Sequence, residues 1–179
     1  MFAFLSAMFN IVLVDNMAWM YTAWEVTTLC SFLLIGFTKS EEAINNAFRQ
    51  IVMNLLGGVA FQFSLVYLGV FGLPLSFSMF VELGSAFPAL VMLPVTLLAF
   101  AGITKAAQMP FHTWLLGAMV APTPTSALLH SSTMVKAGVF LLVKLSPIFA
   151  VSLVPSVMVV LVGVRVIRQR PLLFNHSIL

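Results

Sequence analysis

Charged side chains are nearly missing from this sequence. Eight Lys and Arg and five Asp and Glu make 7% of its 179 residues, where a soluble domain carries about a quarter. With 61% hydrophobic residues and a mean hydropathy of +1.12, polar surface is too scarce to cover a water-facing globule. Cysteine is single: Cys30 excludes an intrachain disulfide and any four-cysteine metal or cluster site. In its apolar run it reads as a small hydrophobe. No stripe of Lys and Arg with interleaved aromatics is present, so the net charge of +3 and pI near 9.4 point to no nucleic-acid partner. The first fourteen residues lack the basic start and small-residue cleavage site of a secretory signal.

What the sequence has is apolar length. Hydrocarbon about 30 Å thick takes roughly 20 helical residues, and the charges fall mostly between runs of that size. Residues 1–14 are apolar but short and stop at Asp15-Asn16, as the end of a helix would. Residues 17–37 make a full span interrupted by Glu25, and 51–73 a span without charge, with 38–50 expected as a polar loop between them. Residues 74–87, with Pro74, Glu82 and Gly84, predict a connector carrying a short interfacial helix. Residues 88–118 exceed one simple span and contain Pro94, Lys105, Pro110 and His112. An internal proline removes a hydrogen bond and clashes with the preceding turn, so a broken helix is expected around Gln108–Pro110. The rigid APTPT turn at 121–125 precedes a span at 125–143, and a last span covers about 147–164. The fold class expected is an all-α, polytopic transmembrane bundle with six crossing or partly crossing segments, one of them broken.

Lys39 and Arg49 lie between the second and third segments, and Arg165, Arg168 and Arg170 follow the last; the connections at 15–16 and 74–87 hold no Lys or Arg. Alternating helices put the basic regions on one side, which the positive-inside rule makes cytoplasmic.

Glu25, Lys105, His130 and Lys136 lie inside spans. An uncompensated charge at a helix centre costs about 2.5–3.5 kcal/mol, so Glu25, Lys105 and Lys136 together would cost about 8–10 kcal/mol, as much as a whole domain's stability. Each has an ordinary explanation: Glu25 as an ion-pair partner, Lys105 snorkelling from a helix end, His130 bonded to backbone. Lys136, about eleven residues into its span, is the hardest to explain that way. Together, one acid, two lysines and a histidine in adjacent spans form the pattern of a proton path. Burial disfavours a lysine's charge and a nearby carboxylate favours it, so a lysine between them can switch. His112, beside the break at Pro110, is a further possible relay. Irregular backbone at membrane depth is tolerated where it lines a cavity, and Ser126, Ser131, Ser132 and Thr133 around His130 could hold water there. Glu41, Glu42, Glu82 and His176 read as solvated loop or tail residues.

The segments WEVTTLCSFLLIGF (24–37) and KAAQMPFHTWLLGAMVAPTPTSALLHSSTMVKAG (105–138) resemble the antiporter-like membrane subunit family over about residues 1–161. That family comprises proton-pumping subunits of complex I (NADH:quinone oxidoreductase), membrane subunits of energy-converting hydrogenases, and large subunits of Mrp cation/proton antiporters. The resemblance implies helices four to eight, the first of two inverted five-helix repeats, plus the start of helix nine. It implies that Glu25 matches the acid of helix five and Lys105 the lysine of broken helix seven. His130 matches the histidine of helix eight, and Lys136 a lysine that some members carry there. HSSTMVKAG looks closer to the hydrogenase and Mrp branches, and WEVTTLCSFLLIGF with EAINNAFR leans toward the hydrogenase branch. Residues 162–179 depart from the family and are expected to be an atypical Arg-rich tail of the kind a shifted reading frame produces.

The function expected is proton or sodium translocation, in a multi-pass subunit of the cell membrane working with other membrane subunits of a redox-driven complex. The alternatives are a subunit of an Mrp-type antiporter and a fragment that does not transport. The sequence carries no cofactor motif, nucleotide loop, metal site, soluble-substrate site or catalytic redox site.

Overall fold

The computed structural model describes residues 1–127 and 134–175; the side chains of 124, 166 and 168–175 are left aside. Every regular element among the described residues is a helix. In chain order these are α1 Phe2–Leu13, α2 Met17–Ile35, α3 Glu41–Val70, α4 Phe77–Ala86, α5 Pro88–Lys105, α6 Thr113–Gly117, α7 Thr123–Ala127, α8 Met134–Lys144, α9 Ser146–Phe149 and α10 Leu153–Asn175. Three are long and apolar enough to cross a membrane: α2 with its terminal 3-10 turn, α3 and α5. The first helix and the apolar stretch of α10 are shorter than a full crossing.

The segment expected as a loop at 38–50 is different in the structure. From Glu41 it is already helix, the opening turns of a 30-residue α3. The local reasons are plain. Ser40 caps the start, its Oγ accepting from the Ala43 amide at 3.2 Å, and Glu41 and Glu42 place negative charge at the positive end of the helix dipole. Ala43, Ala47, Gln50 and Asn54 then continue one buried stripe at helical spacing. At 1.5 Å per residue the helix is about 45 Å long, half as long again as the hydrocarbon, so its polar first third need not be in lipid.

α3 packs against α2 and α5, α1 leans on α2, and α8 packs on α5. The core includes Trp24, Phe61, Phe4, Phe77, Phe80 and Trp114, all at most 2% exposed. Edge-on contacts of the Phe61 ring with Tyr21 and Trp24 fill the α2–α3 seam. Two adjacent glycines allow the close approach of α3. A Cβ on Gly57 would fall on the Thr104 hydroxyl of α5, and one on Gly58 on the Glu25 carboxylate of α2.

Outside the bundle, the α1–α2 turn is tied to the α3–α4 connector. Met17 and Phe77 donate to the carbonyls of Leu75 (2.8 Å) and Asp15 (2.8 Å), pairing Asn16 with Ser76 as an isolated antiparallel bridge. Asp15 accepts from the hydroxyls of Ser76 and Ser78, the latter at 2.7 Å. These bonds, aided by the charge of Lys144, hold its carboxyl below the ordinary 3.8. Lys144 lies over the rings of Phe77 and Phe140, at 4.6 and 5.3 Å.

Candidate functional site

The expected helix break is present, and it starts earlier than the proline. α5 ends at Lys105; Ala106 is its cap, and Ala107 takes a left-handed φ of 50°. The amide of Gln108 returns to the Ile103 carbonyl (3.1 Å) and that of Ala107 to Thr104 (3.2 Å), the paired bonds of a Schellman ending with alanine where glycine is usual. Pro110 lies in the interruption, after a cis Met109–Pro110 bond. Pro110 disfavours helix at the residue before it, so the chain stops the helix upstream. Across the gap, the indole Nε1 of fully buried Trp114 donates to the Thr104 carbonyl at 3.1 Å.

This ending sets the position of Lys105. Helical side chains tilt toward the N-terminus, so its ammonium reaches back from the helix end into the bundle. Lys105 is 0% exposed. Its Nζ donates to the Trp24 carbonyl and to Thr28 Oγ1, each at 2.8 Å, and lies 4.7 Å from the Trp24 ring centroid. The Trp24 carbonyl also accepts from Thr27 and Thr28. Glu25, the next residue along α2, is half-buried, and its charge and that of Lys105 act on each other. The space left by Gly58 receives its carboxylate, and Oε1 has no hydrogen-bond partner among the described residues. Beside it an open cleft runs along Tyr21, Thr22, Val26, Thr28, Ile51 and Leu55. One half-buried acid and one fully buried ammonium thus share a junction of three helices, each with hydrogen-bonding capacity left over.

Two of the other expected site residues lie elsewhere. α8 turns the stripe Met134, Ala137, Gly138 and Leu141 inward, which sends Lys136 outward. It is exposed in a groove between α1 and α8, beside Leu5, Met8, Phe9, Val12 and Phe140. Lys136 thus faces the α1–α8 groove and not the Lys105 junction. His112 is half-buried at the start of α6, its Nδ1 without a partner among the described residues. His130, with Ser131, Ser132, Thr133 and His176, lies outside the described residues.

A second polar group was missed. Gln50 and Asn54 on α3, 0% and 1% exposed, face Thr27, Thr28 and Ser31 on α2, all equally buried. Gln50 Nε2 donates to Ser31 Oγ at 2.8 Å and Asn54 Nδ2 to the Gln50 carbonyl at 3.0 Å. The acceptors Gln50 Oε1 and Asn54 Oδ1 remain unpaired within the described residues, as does the donor Trp24 Nε1. Each such group, if dry, costs about 1–3 kcal/mol. The signal available was register: Gln50 and Asn54 fall on the same helical stripe as Ala43, Ala47 and Gly57.

Comparison with known proteins follows the same lines. The family model described as NADH:quinone oxidoreductase/Mrp antiporter, TM, matches residues 14–167. The Na(+)/H(+) antiporter subunit A1 of Staphylococcus epidermidis is 41% identical over 155 residues, 83% of this chain and 19% of that protein. That of Staphylococcus aureus is 38% identical over 152 residues, again 83% and 19%. Among solved structures, the Mrp complex from Dietzia sp. DQ12-45-1b matches with a TM-score of 0.73 and 37% identity, over 80% of this chain and 16% of that one. The membrane-bound sulfane sulfur reductase, an archaeal respiratory membrane complex, matches with a TM-score of 0.66 and 24% identity over 77% and 28%; at that identity it shows the fold alone. The chain spans about a fifth of the length of the antiporter subunits it matches.

Proposed function

Since the chain belongs to the transmembrane family of NADH:quinone oxidoreductases and Mrp antiporters, we propose that it carries part of the ion path of a translocating membrane subunit, with Lys105 as the switchable site. It is a multi-pass protein of the cell membrane. The observation carrying the reading is the fully buried Lys105 ammonium, held by the Trp24 carbonyl and Thr28 hydroxyl beside Glu25 at a helix break. A cation kept there must be paired or used. Lysine suits a switch because burial and a carboxylate pull its protonation in opposite directions, whereas a guanidinium keeps its charge. Glu25 is the partner charge. His130 and His112 remain candidate relays between waters, because an imidazole ring offers both a donor and an acceptor nitrogen, and Lys136 would act only at the outer face of α8, toward another membrane element.

An Mrp-type cation/proton antiporter subunit is the better supported setting, because the relatives at 41% and 37% identity are of that kind. The second setting is a redox-driven complex, supported by the family's breadth. In either, other membrane subunits are partners, and in the redox-driven setting electron transfer is theirs. The test is transport in membrane vesicles containing the native assembly, followed with a pH-sensitive dye. Lys105→Ala abolishes sodium-dependent proton movement and Lys105→Arg impairs it. Proton movement driven by a sodium gradient without an electron donor favours the antiporter setting; movement only with a donor favours the redox one. Normal transport by Lys105→Ala would make the lysine structural and end the reading.

A further inference from the structure

The stop of α5 runs against local preference. Alanine is the best helix former and is strained at a left-handed φ. Yet the helix ends at Ala106 and Ala107, the latter at a φ of 50°. Pro110 restricts Met109, the residue before it, and leaves Ala106, Ala107 and Gln108 free to be helical. Had α5 continued, the Gln108 amide would bond the Thr104 carbonyl, four residues back. That carbonyl is already occupied. It accepts from the Ala107 amide at 3.2 Å and from Trp114 Nε1 at 3.1 Å, which uses both of its lone pairs. The indole is 0% exposed, and its helix is braced in turn: a Cβ on Gly117 of α6 would lie 2.6 Å from the Asn46 side chain of α3. The last turn of α5 is close-packed on two further sides. Gly57 of α3 leaves room for Thr104, and Gly138 of α8 brings bare backbone against the Gly102 carbonyl and the Ala106 amide. Contacts of that kind are non-directional, whereas the hydrogen bond from Trp114 has a required distance and angle.

We infer that Trp114 is a positioning residue for Lys105: by occupying the Thr104 carbonyl, its indole N–H holds α5 to a stop that alanine alone would not keep. Lys105 is the last helical residue before that stop, and its ammonium has two acceptors at 2.8 Å, both on α2. A last turn that loosens or runs on toward Gln108 shifts the lysine against those acceptors, and each added residue advances the chain about 1.5 Å along the axis. The effect on transport rests on the translocation reading above; the anchoring of the helix end does not. Glycine at 107 adopts the left-handed φ without strain, so it should make the stop self-sufficient and the indole bond dispensable.

The test is a rescue experiment in the native assembly, with transport in vesicles expressed per assembled complex. Trp114→Phe keeps an aromatic ring and removes the N–H. It should transport about fivefold more slowly, the change expected for one hydrogen bond of ordinary strength. Ala107→Gly added to it should restore the rate to within about twofold of the parent. The control is Gly69→Ala, in α3 with nothing near its added methyl, which stabilises by the same backbone-entropy route and should restore nothing. Deuterium uptake over residues 103–108 reports the turn itself, because the Ala107 and Gln108 amides exchange when their bonds to Thr104 and Ile103 open. Uptake should quicken about fivefold in Trp114→Phe and return to the parent rate with Ala107→Gly. Parent-like transport or uptake in Trp114→Phe overturns the inference. So does equal rescue by Gly69→Ala, which would make the tryptophan a general stabiliser. Should Trp114→Phe fail to assemble, the same comparisons are made in a Gly69→Ala background, with and without Ala107→Gly, under the same criteria. Lys105→Ala is measured beside them. If it transports normally, the translocation reading falls and uptake alone decides the anchoring; if it is inactive while Trp114→Phe matches the parent, this inference alone falls.

Discussion

Gly57 and Gly58 are neighbours in sequence, yet alanine at each should fail in a different way. In a helix interior, replacing glycine by alanine stabilises by about 0.5–1 kcal/mol through lost unfolded-state freedom. At Gly57 the new methyl would fall on Thr104 Oγ1, with Thr104 Cβ at 3.1 Å and the Ala101 Cα of α5 at 3.4 Å. The Thr104 hydroxyl is held by the Ala101 carbonyl at 2.8 Å, so α5 itself must back away. Overpacking of that kind costs about 1–3 kcal/mol, and Gly57→Ala should be less stable by up to about 2 kcal/mol. At Gly58 the methyl meets the Glu25 carboxylate, the far end of a flexible side chain, which can swing aside. Gly58→Ala should therefore be as stable as the parent or better by up to about 1 kcal/mol. Its cost is functional. With an effective dielectric of about 20, moving a charge from about 5 to about 7 Å from its partner changes the interaction by about 1 kcal/mol, about fivefold in rate. The assays are thermal unfolding of the detergent-solubilised assembly and dye-reported transport in vesicles. Equal loss of stability in both variants would refute the distinction between backbone and side-chain contact. Gly58→Ala transporting at the parent rate would refute the dependence on where Glu25 lies.

Asp15 links the two outer connections as a carboxylate, and its folded-state pKa is depressed below 3.8 by the serine hydroxyls. Its contribution is therefore present above about pH 4 and lost as pH falls; the difference in melting temperature between parent and Asp15→Asn should be constant from about pH 8 to 5 and shrink below about pH 4. Ala107 holds a left-handed φ of 50° that glycine adopts without strain, so Ala107→Gly should raise thermal stability by up to about 1 kcal/mol. A cysteine replacing Ser40 should resist impermeant maleimide in intact cells and react in inside-out vesicles, and labelling in intact cells would reverse the assigned sidedness.

The membrane character, the three full crossings and the interrupted helix were legible because they rest on length, charge scarcity and proline, which act locally. Glu25 and Lys105 stood out because a charge in an apolar run is conspicuous without any knowledge of its neighbours. The start of α3 was misjudged, since EEAINNAFRQ is polar enough to pass for a loop; only the Ser40 cap and the 43–47–50–54 spacing mark it as helix. Gln50 was lost with it, while Asn54 lay inside the span expected at 51–73 and carries no charge to draw notice. The outward aim of Lys136 was not legible because depth along a helix says nothing about azimuth, which is fixed by the Met134–Ala137–Gly138–Leu141 stripe packing on α5. Nor could proline content place the stop at Lys105, which depends on the Ala107 turn and on Trp114 bonding across the gap.

The length of α3 has an electrical meaning. If its last 20 residues fill about 30 Å of hydrocarbon, Gln50 stands at the boundary where the membrane potential begins to fall. Gly58, level with Glu25, is then about 12 Å in, roughly two-fifths of the way across. A unit charge carried from that boundary to the Lys105 junction would sense the same fraction of the field, about 0.9 kcal/mol per 100 mV. Occupancy of the junction would then change about fivefold for each 100 mV, making the buried lysine a modest voltmeter as well as a proton acceptor.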